Sequence, residues 1–173
     1  MNIIKMLEMQ NTVDTKILEK CKLSDDELFI NLSIALVVEV AELANELQDF
    51  KHWKHSKKID LIKTKEELAD CIAFALALVN LDKEVVTEND IQRNFKMIDQ
   101  IAADPSGTDF NDRLSTTSYL LRGASQIEEY KRSSMLFSLI TFGVVNLGMS
   151  LNEIEDEYMK KSQINIQRQE NNY

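Results

Sequence analysis

Two strongly apolar segments in the first half of the chain each carry a pair of acidic residues three positions apart, either inside the segment or starting at its edge. The segments are residues 32–47 and 68–79. The pairs are Glu39 with Glu42 and Glu67 with Asp70. Because positions three apart lie on one side of an α-helix, each pair would project two carboxylates from a single helical face. The pattern predicts two packed helices on which these four acids meet.

Acids in such an apolar setting indicate a bound cation. An ionised carboxylate inside a core is costly unless it is paired or bound to a metal, and converging carboxylates repel one another. Oxygen ligands without histidine or cysteine suit Mg²⁺ or Mn²⁺, and Mg²⁺ prefers phosphate oxygens as its remaining partners. One acid pair alone would be read as an exposed stripe with local salt bridges. Two pairs within apolar sequence favour a metal site and nucleotide phosphate chemistry.

The composition predicts an all-α fold. The chain has 173 residues, with one proline, four glycines and 44% hydrophobic residues, which favours long helices and few turns. We predict a bundle of about six to seven helices with a four-helix catalytic core, forming a single domain over residues 1–173. The DPSGTD sequence would separate a metal-binding half, 1–103, from a second helical half, 109–173.

Charge and cysteine content restrict the partners. A net charge of −9 argues against binding to nucleic acid or to an anionic membrane. No window has the ~18 apolar residues needed to span a bilayer. Cys21 and Cys71 are too few for a disulfide framework, so we expect a reduced, cytoplasmic setting.

Helix signals divide the chain further. We predict helices over 2–20, 25–50, a third ending near 81, and then 87–103, 109–131, 133–147 and from 151 onwards. Ser24 with Glu27 and Ser150 with Glu153 form capping boxes. Thr64 with Glu67 would form another, which is a rival role for Glu67. The helix over 133–147 is apolar on all sides, so it must be covered by its own chain or by a second copy, and a homodimer would satisfy this.

Two further segments suggest nucleotide contacts. The last helix carries Tyr158, Lys161, Asn165 and Arg168 at spacings of 3, 4 and 3, a polar and cationic stripe that suits phosphate oxygens. The FKHWKHSKK loop interleaves aromatic and basic residues. Trp53 could pack against a base or anchor the loop, and Lys51 or Lys54 could meet phosphate.

These motifs together resemble the all-α dimeric dUTPase family, a branch of the all-α NTP pyrophosphatase (MazG-like) superfamily. The superfamily pattern ExxE, spacer, ExxD is matched by VVEVAELANEL and EELADCIAF, and the FKHWK run narrows the resemblance to the dUTPase branch. The family's C-terminal pattern, YxxKxxxNxxRQ and a late tyrosine, is also present. Its matched positions are Tyr158, Lys161, Asn165, Arg168, Gln169 and Tyr173.

The resemblance implies a homodimeric Mg²⁺-dependent hydrolase that converts dUTP, and also dUDP, to dUMP. The four acids would hold the metals, with Glu42 the first choice to orient the attacking water. In the LEMQ motif, Gln10 would help to read the base. The remaining candidates near the base are Trp53, Phe74 and Asn80. The second-rank candidates are Asp14, Glu46, Lys51, Gln169 and Tyr173.

Two other functions are compatible with the same sequence features. A MazG-like pyrophosphohydrolase could carry the same acids with another or a broader nucleotide preference. A non-catalytic helical interaction protein could carry them for structural reasons.

Overall fold

The computed structural model describes residues 1–171, and in this part of the chain helices and connecting loops are present, without strands. The described residues form seven α-helices and one short 3₁₀ helix, Ile127–Glu129. The predicted all-α bundle is therefore confirmed. The α-helices are α1 (Ile3–Leu18), α2 (Asp25–Leu47), α3 (Leu61–Leu81), α4 (Glu88–Ala103), α5 (Arg113–Ser125), α6 (Arg132–Leu147) and α7 (Leu151–Glu170).

Helix α3 is the centre of the bundle and packs against α1, α2, α6 and α7. Its side chains from Leu68 to Val79 are buried almost without interruption. Helix α2 runs antiparallel to α3: Phe29 and Leu81 line one cleft at one end, and Glu39 lies beside Asp70 further along. The two acid-bearing helices are therefore direct neighbours.

Serine or threonine caps the start of three helices, α2, α4 and α7. The capping boxes predicted at Ser24 and Ser150 are both formed, each with the glutamate three residues later. A third box, Thr87 with Asp90, opens α4. These reciprocal hydrogen bonds satisfy backbone N–H groups that a helix start leaves without partners.

Helix α6 is covered mainly by its own chain. Its side chains from Met135 to Gly143 are buried apart from the half-buried Ser138, and it contacts α3, α4, α5 and α7. Gly143 permits the closest approach, because a Cβ there would lie 2.8 Å from Ile154 Cδ1 on α7 and 2.9 Å from Leu68 Cδ2 on α3. Gly148 ends the helix in the left-handed region, with φ of 67°. A second copy is therefore not needed to cover most of α6.

The predicted helix over 109–131 is wrong in extent. Helix α5 covers only Arg113–Ser125, and the chain leaves helical geometry at Gln126 before the 3₁₀ helix. Arg132 holds this break in place. Its guanidinium donates to the carbonyls of Ile127 and Tyr130, and it also pairs with Asp82 at 2.8 Å. The contacts with Ile127 and Tyr130 are local, whereas the ion pair with Asp82 joins residues far apart in the sequence, which helix periodicity could not reveal.

Within residues 1–171, no single helix is both long enough and apolar enough to cross a membrane. Only α6 and α7 taken together, bent by 118° at their junction, meet that length and composition.

Candidate active site

Three carboxylates from α2 and α3 converge at the centre of the predicted acid cluster. One oxygen from each of Glu39, Glu67 and Asp70 lies within 4.8 Å of the others. All three side chains are half-buried. Within the described residues, no other group of histidine, cysteine or acidic side chains converges in this way. We call Glu39, Glu67 and Asp70 the acid cluster.

The start of α3 resolves the rival role of Glu67. Asp60 caps this helix, accepting hydrogen bonds from the backbone N–H groups of Ile62 and Lys63. Thr64 instead lies one turn inside the helix, where its hydroxyl donates to the Asp60 carbonyl at 2.8 Å. The predicted capping box of Thr64 and Glu67 is therefore wrong, and the Glu67 carboxylate belongs to the acid cluster.

Glu42, the fourth predicted acid, lies at the rim. Its side chain is exposed, outside the group of converging oxygens. Its charge nevertheless raises the pKa of both Glu39 and Glu67, so it is a close electrostatic neighbour. Glu46, half-buried one turn further along α2, raises the pKa of Glu67 more weakly. The structure thus brings three of the four acids together and leaves the fourth facing solvent beside them.

Burial and mutual repulsion change the protonation of the cluster. Desolvation, followed by the charges of Asp70, Glu42 and Glu67, raises the pKa of Glu39 to about 7. Desolvation and neighbouring acids also raise the pKa of Glu67. Desolvation raises the pKa of Asp70, although the ion pair with Lys161 opposes this shift. Such perturbed carboxylates in a shared site are typical of functional centres.

Helix α7 brings positive charge to the cluster. The Lys161 ammonium lies 2.5 Å from Asp70 Oδ2, and both side chains are largely buried. Lys161 also lines a cavity of about 200 Å³ with Lys160, Ile164 and Arg168, where Glu66 and Glu157 complete the wall. We call this cavity the cationic notch. It lies directly beside the acid cluster and has space for a phosphate group.

Only part of the C-terminal stripe is accessible to solvent. Asn165 is half-buried and Arg168 is exposed, but Tyr158 is completely buried between α7 and α1. The Tyr158 hydroxyl lies 3.0 Å from the Met6 carbonyl and 3.1 Å from Gln10 Oε1. Direct phosphate binding by Tyr158 is therefore contradicted in this arrangement, because solvent does not reach its hydroxyl.

Gln10 belongs to a buried polar chain of side chains. Its amide Nε2 donates to Asp14 Oδ1 at 2.7 Å, while its Oε1 faces the Tyr158 hydroxyl. Desolvation raises the pKa of Asp14 to about 6, and the hydrogen bond from Gln10 opposes the shift. The two contacts fix which end of the Gln10 amide is the donor and which is the acceptor.

Two other candidates near the base lie on the central helix. Phe74 is half-buried and packs against the hydrophobic core. Asn80 is half-buried, and its Nδ2 donates to the Leu7 carbonyl at 3.0 Å. Asn80 thereby ties α3 to α1 near Gln10.

The FKHWKHSKK loop follows the end of α2, where Gln48 adopts a left-handed conformation with φ of 60°. Trp53 is 60% exposed and makes edge contacts with the rings of Phe50 and His52. Lys54 donates to Gln48 Oε1 at 2.9 Å, and Lys51 donates to Asn45 Oδ1 at 2.5 Å. Trp53 therefore presents an open face and does not anchor the loop in the core.

Gln169 and Tyr173 are the last two predicted site residues. Gln169 is half-buried, and its carbonyl accepts a hydrogen bond from Lys20. Tyr173 lies outside the described residues.

Sequence reasoning missed three charged members of the cationic notch, namely Lys160, Glu66 and Glu157. Each is adjacent to, or one turn away from, a residue that the motifs identify. Neighbouring positions on a helix point about 100° apart, so adjacency alone gave no reason to select them. The crossing of α3 and α7 brings them to one cavity.

The donor set fits a hard divalent cation. Three carboxylates with oxygens this close supply oxygen ligands only, which Mg²⁺ and Mn²⁺ prefer, and neither histidine nor cysteine is among them. A bound Mg²⁺ would keep coordination positions for water and phosphate oxygens. The adjacent cationic notch could hold the phosphates.

Comparison with known proteins agrees with this arrangement. Among curated proteins, no significant match is found. A family model described as dUTPase matches residues 2–173, which is nearly the whole sequence. The chain therefore belongs to the all-α dUTPase family.

Proposed function

We propose that this chain is a Mg²⁺-dependent dUTP diphosphatase. Its family membership indicates a nucleotide pyrophosphatase that acts on dUTP. The reaction would convert dUTP and water to dUMP and pyrophosphate, and dUDP and water to dUMP and phosphate. The observation that carries the proposal is the convergence of Glu39, Glu67 and Asp70 beside a cationic notch.

The acid cluster would hold Mg²⁺, or Mn²⁺ as a substitute. The bound ion would supply Lewis-acid stabilisation of the phosphate oxygens and would lower the pKa of water. Glu42 would orient the attacking water and accept its proton, because its exposed carboxylate stands beside the cluster without belonging to it. Glu46 would support this position from the next turn.

The notch would bind the polyphosphate. Lys161 and Arg168 would neutralise charge that builds on the phosphate oxygens, and Asn165 would add a neutral donor. Lys54 and Lys51 would close over the phosphates from the loop. In the present arrangement both loop lysines bond to α2 and its cap, so they would exchange these contacts for the substrate.

Gln10 would read the uracil edge, with Trp53 and Phe74 beside the base and Asn80 near them. The fixed amide of Gln10 supports this role, because a base is read reliably only when donor and acceptor positions are set in advance. Tyr158 and Asp14 would serve as positioning residues that hold this amide.

We also propose a homodimer, in which α2 supplies the contact surface. Ile30, Ile34 and Val38 form an outward apolar stripe and are 54%, 59% and 46% exposed. A cleft of about 400 Å³ between α2 and α5 continues the apolar surface. Glu42 lies four positions beyond Val38, so a partner on this stripe would stand close to the acid cluster.

Light scattering tests the dimer directly. Wild type should have twice the 19.9 kDa mass of one chain, and Ile34→Glu should shift it towards the monomer. Ile62→Glu is a control, since Ile62 is 71% exposed but lies on α3. A monomeric wild type would contradict the proposed dimer.

We further propose that the two halves form one domain and that the protein acts in the cytoplasm. Contacts of α5 with α2, and of α6 and α7 with α3, support a single folding unit. The free thiols of Cys21 and Cys71 support a reducing compartment.

A substrate panel tests the specificity. Purified protein with Mg²⁺ should hydrolyse dUTP much faster than dTTP, dCTP or UTP. Comparable rates on all four would support a MazG-like enzyme of broader preference instead. Absence of turnover together with absence of Mg²⁺ or Mn²⁺ binding would support the non-catalytic alternative.

Glu42→Gln tests the proposed base. We expect the turnover of dUTP to fall by at least about 100-fold, while Mn²⁺ affinity changes far less, because the glutamine keeps the shape but accepts no proton. Unchanged turnover would remove Glu42 from the mechanism and leave the acid cluster in place.

A further inference from the structure

The Lys161 side chain can reach two places, the Asp70 carboxylate and the cationic notch. Its ammonium pairs with Asp70, a member of the acid cluster, at 2.5 Å. The same side chain lines the cationic notch with Lys160 and Arg168. Lys161 is therefore located between the cluster and the notch, and a rotation about its flexible stem is enough to move its charge from one to the other.

The ammonium and a divalent cation cannot share Asp70 without cost. The converging oxygens lie within 4.8 Å of one another, close enough for one divalent cation to bind all three. A cation that binds there would lie close to the Lys161 ammonium, and like charges at that distance repel strongly in a partly buried site. Arg168 and Glu66 also act on Asp70, but Lys161 is the dominant positive influence on it.

We propose that Lys161 competes with the divalent cation for Asp70 and is released into the cationic notch when the cation binds. This inference rests on the proposed metal centre and assigns Lys161 a positioning role in addition to phosphate binding. Cation binding then places an additional positive charge in the notch before the polyphosphate arrives. The two ligands are thereby coupled through one side chain, and the coupling is reciprocal.

Lys160 supplies a matched control on the adjacent position of α7. It carries the same charge and lines the same notch, but it forms an ion pair with Glu157, at 3.6 Å, which is outside the acid cluster. Any effect of a lost positive charge near the site is shared by Lys160→Gln and Lys161→Gln. An effect confined to Lys161→Gln reports the contact with Asp70.

The first measurement is Mn²⁺ affinity without nucleotide, by calorimetry or electron paramagnetic resonance. Lys161→Gln should bind Mn²⁺ about 10-fold more tightly than wild type, because the competing ammonium is absent. Lys160→Gln should stay within about twofold. Equal or weaker binding by Lys161→Gln overturns the inference alone, whereas no binding by wild type overturns the metal centre as well.

The second measurement is the affinity of α,β-imido-dUTP, with Mn²⁺ and with EDTA. Lys161→Gln should weaken binding about 10-fold with Mn²⁺ but within about twofold in EDTA, where the wild-type lysine is held by Asp70. An equal loss in both conditions overturns the inference. If Lys161→Gln does not fold, Lys161→Met retains most of the aliphatic stem and the same comparisons apply.

Discussion

Two sets of carboxylates in this protein lie in opposite environments. Glu27, Asp90 and Glu153 are helix-capping residues at the protein surface, and hydrogen bonds with Ser24, Thr87 and Ser150 lower their pKa values. Glu39, Glu67 and Asp70 are half-buried near one another, and desolvation and repulsion raise their pKa values. The first set stabilises the fold as it stands. The second set is held in an unfavourable arrangement by the packing of α2 on α3, which the proposed cation would relieve.

The largest expected effect comes from removing one member of the acid cluster. Glu67→Gln should reduce Mg²⁺-dependent turnover of dUTP by at least about 100-fold, because one ligand of the proposed ion loses its charge. Initial rates at saturating Mg²⁺ measure this. Glu8→Gln, at an exposed position on α1, should leave the rate unchanged. A Glu67→Gln enzyme as active as wild type would contradict the role assigned to the cluster.

Acidic pH should weaken cation binding next most strongly. The pKa of Glu39 is about 7, so lowering the pH below that value protonates a ligand. We expect Mn²⁺ affinity to fall by up to about 10-fold per pH unit, as one proton competes with the cation. Calorimetry between pH 8 and pH 5.5 would measure it. An affinity independent of pH from 8 to 6 would show that Glu39 is not a ligand.

The same residue should limit stability when no divalent cation is bound. The folded-state pKa of Glu39, about 7, exceeds its ordinary value of 4.5, so the folded state binds more protons between these values. The free energy of unfolding should therefore fall as pH rises from 4.5 to 7. At pH 8 in EDTA, Glu39→Gln should raise the Tm by about 2–4 °C.

Glu27→Gln supplies the opposite case for that experiment. The pKa of Glu27 is lowered by its hydrogen bonds with Ser24, so its charged form stabilises the folded state, and the variant should have a lower Tm. Thermal unfolding followed by circular dichroism compares the two variants. Changes of the same sign would invalidate the contrast between capping and cluster carboxylates.

The smallest expected effect is at a helix cap. Ser150→Ala removes the side chain that accepts from the Glu153 N–H, and it should destabilise the protein by about 1 kcal/mol. Ser56→Ala, in the exposed loop, should change stability by less than about 0.5 kcal/mol. Urea unfolding measures both. Equal effects would mean that the cap contributes nothing measurable.

The sequence predicted local features better than long-range ones. The capping boxes at Ser24 and Ser150 each involve two residues three positions apart, so the sequence spacing alone is enough to predict them. Spacing also identified Glu39 and Glu42 as a pair, but residues three apart still differ by about 60° around a helix. The register of α2 against α3 turns Glu39 inward and leaves Glu42 exposed, and that register cannot be derived from either helix alone.

The C-terminal stripe shows the same limit. Tyr158 and Arg168 are ten positions apart, which is about 80° short of three full turns of α7, so the two side chains point in different directions. Tyr158 therefore lies in the interface with α1, while Arg168 faces solvent. The end of α5 before Gln126 could not be placed from the sequence either, because one of its supports is the ion pair of Arg132 with the distant Asp82.

The absent side chain of Gly143 sets the spacing at the crossing of three helices. Leu68, which fills that space, follows Glu67 directly in the chain. A methyl group at 143 would meet the terminal methyl groups of Leu68 and Ile154, so these two side chains would have to move. The packing beside the acid cluster thus depends on a position in the second half of the sequence that lines neither the cluster nor the cationic notch.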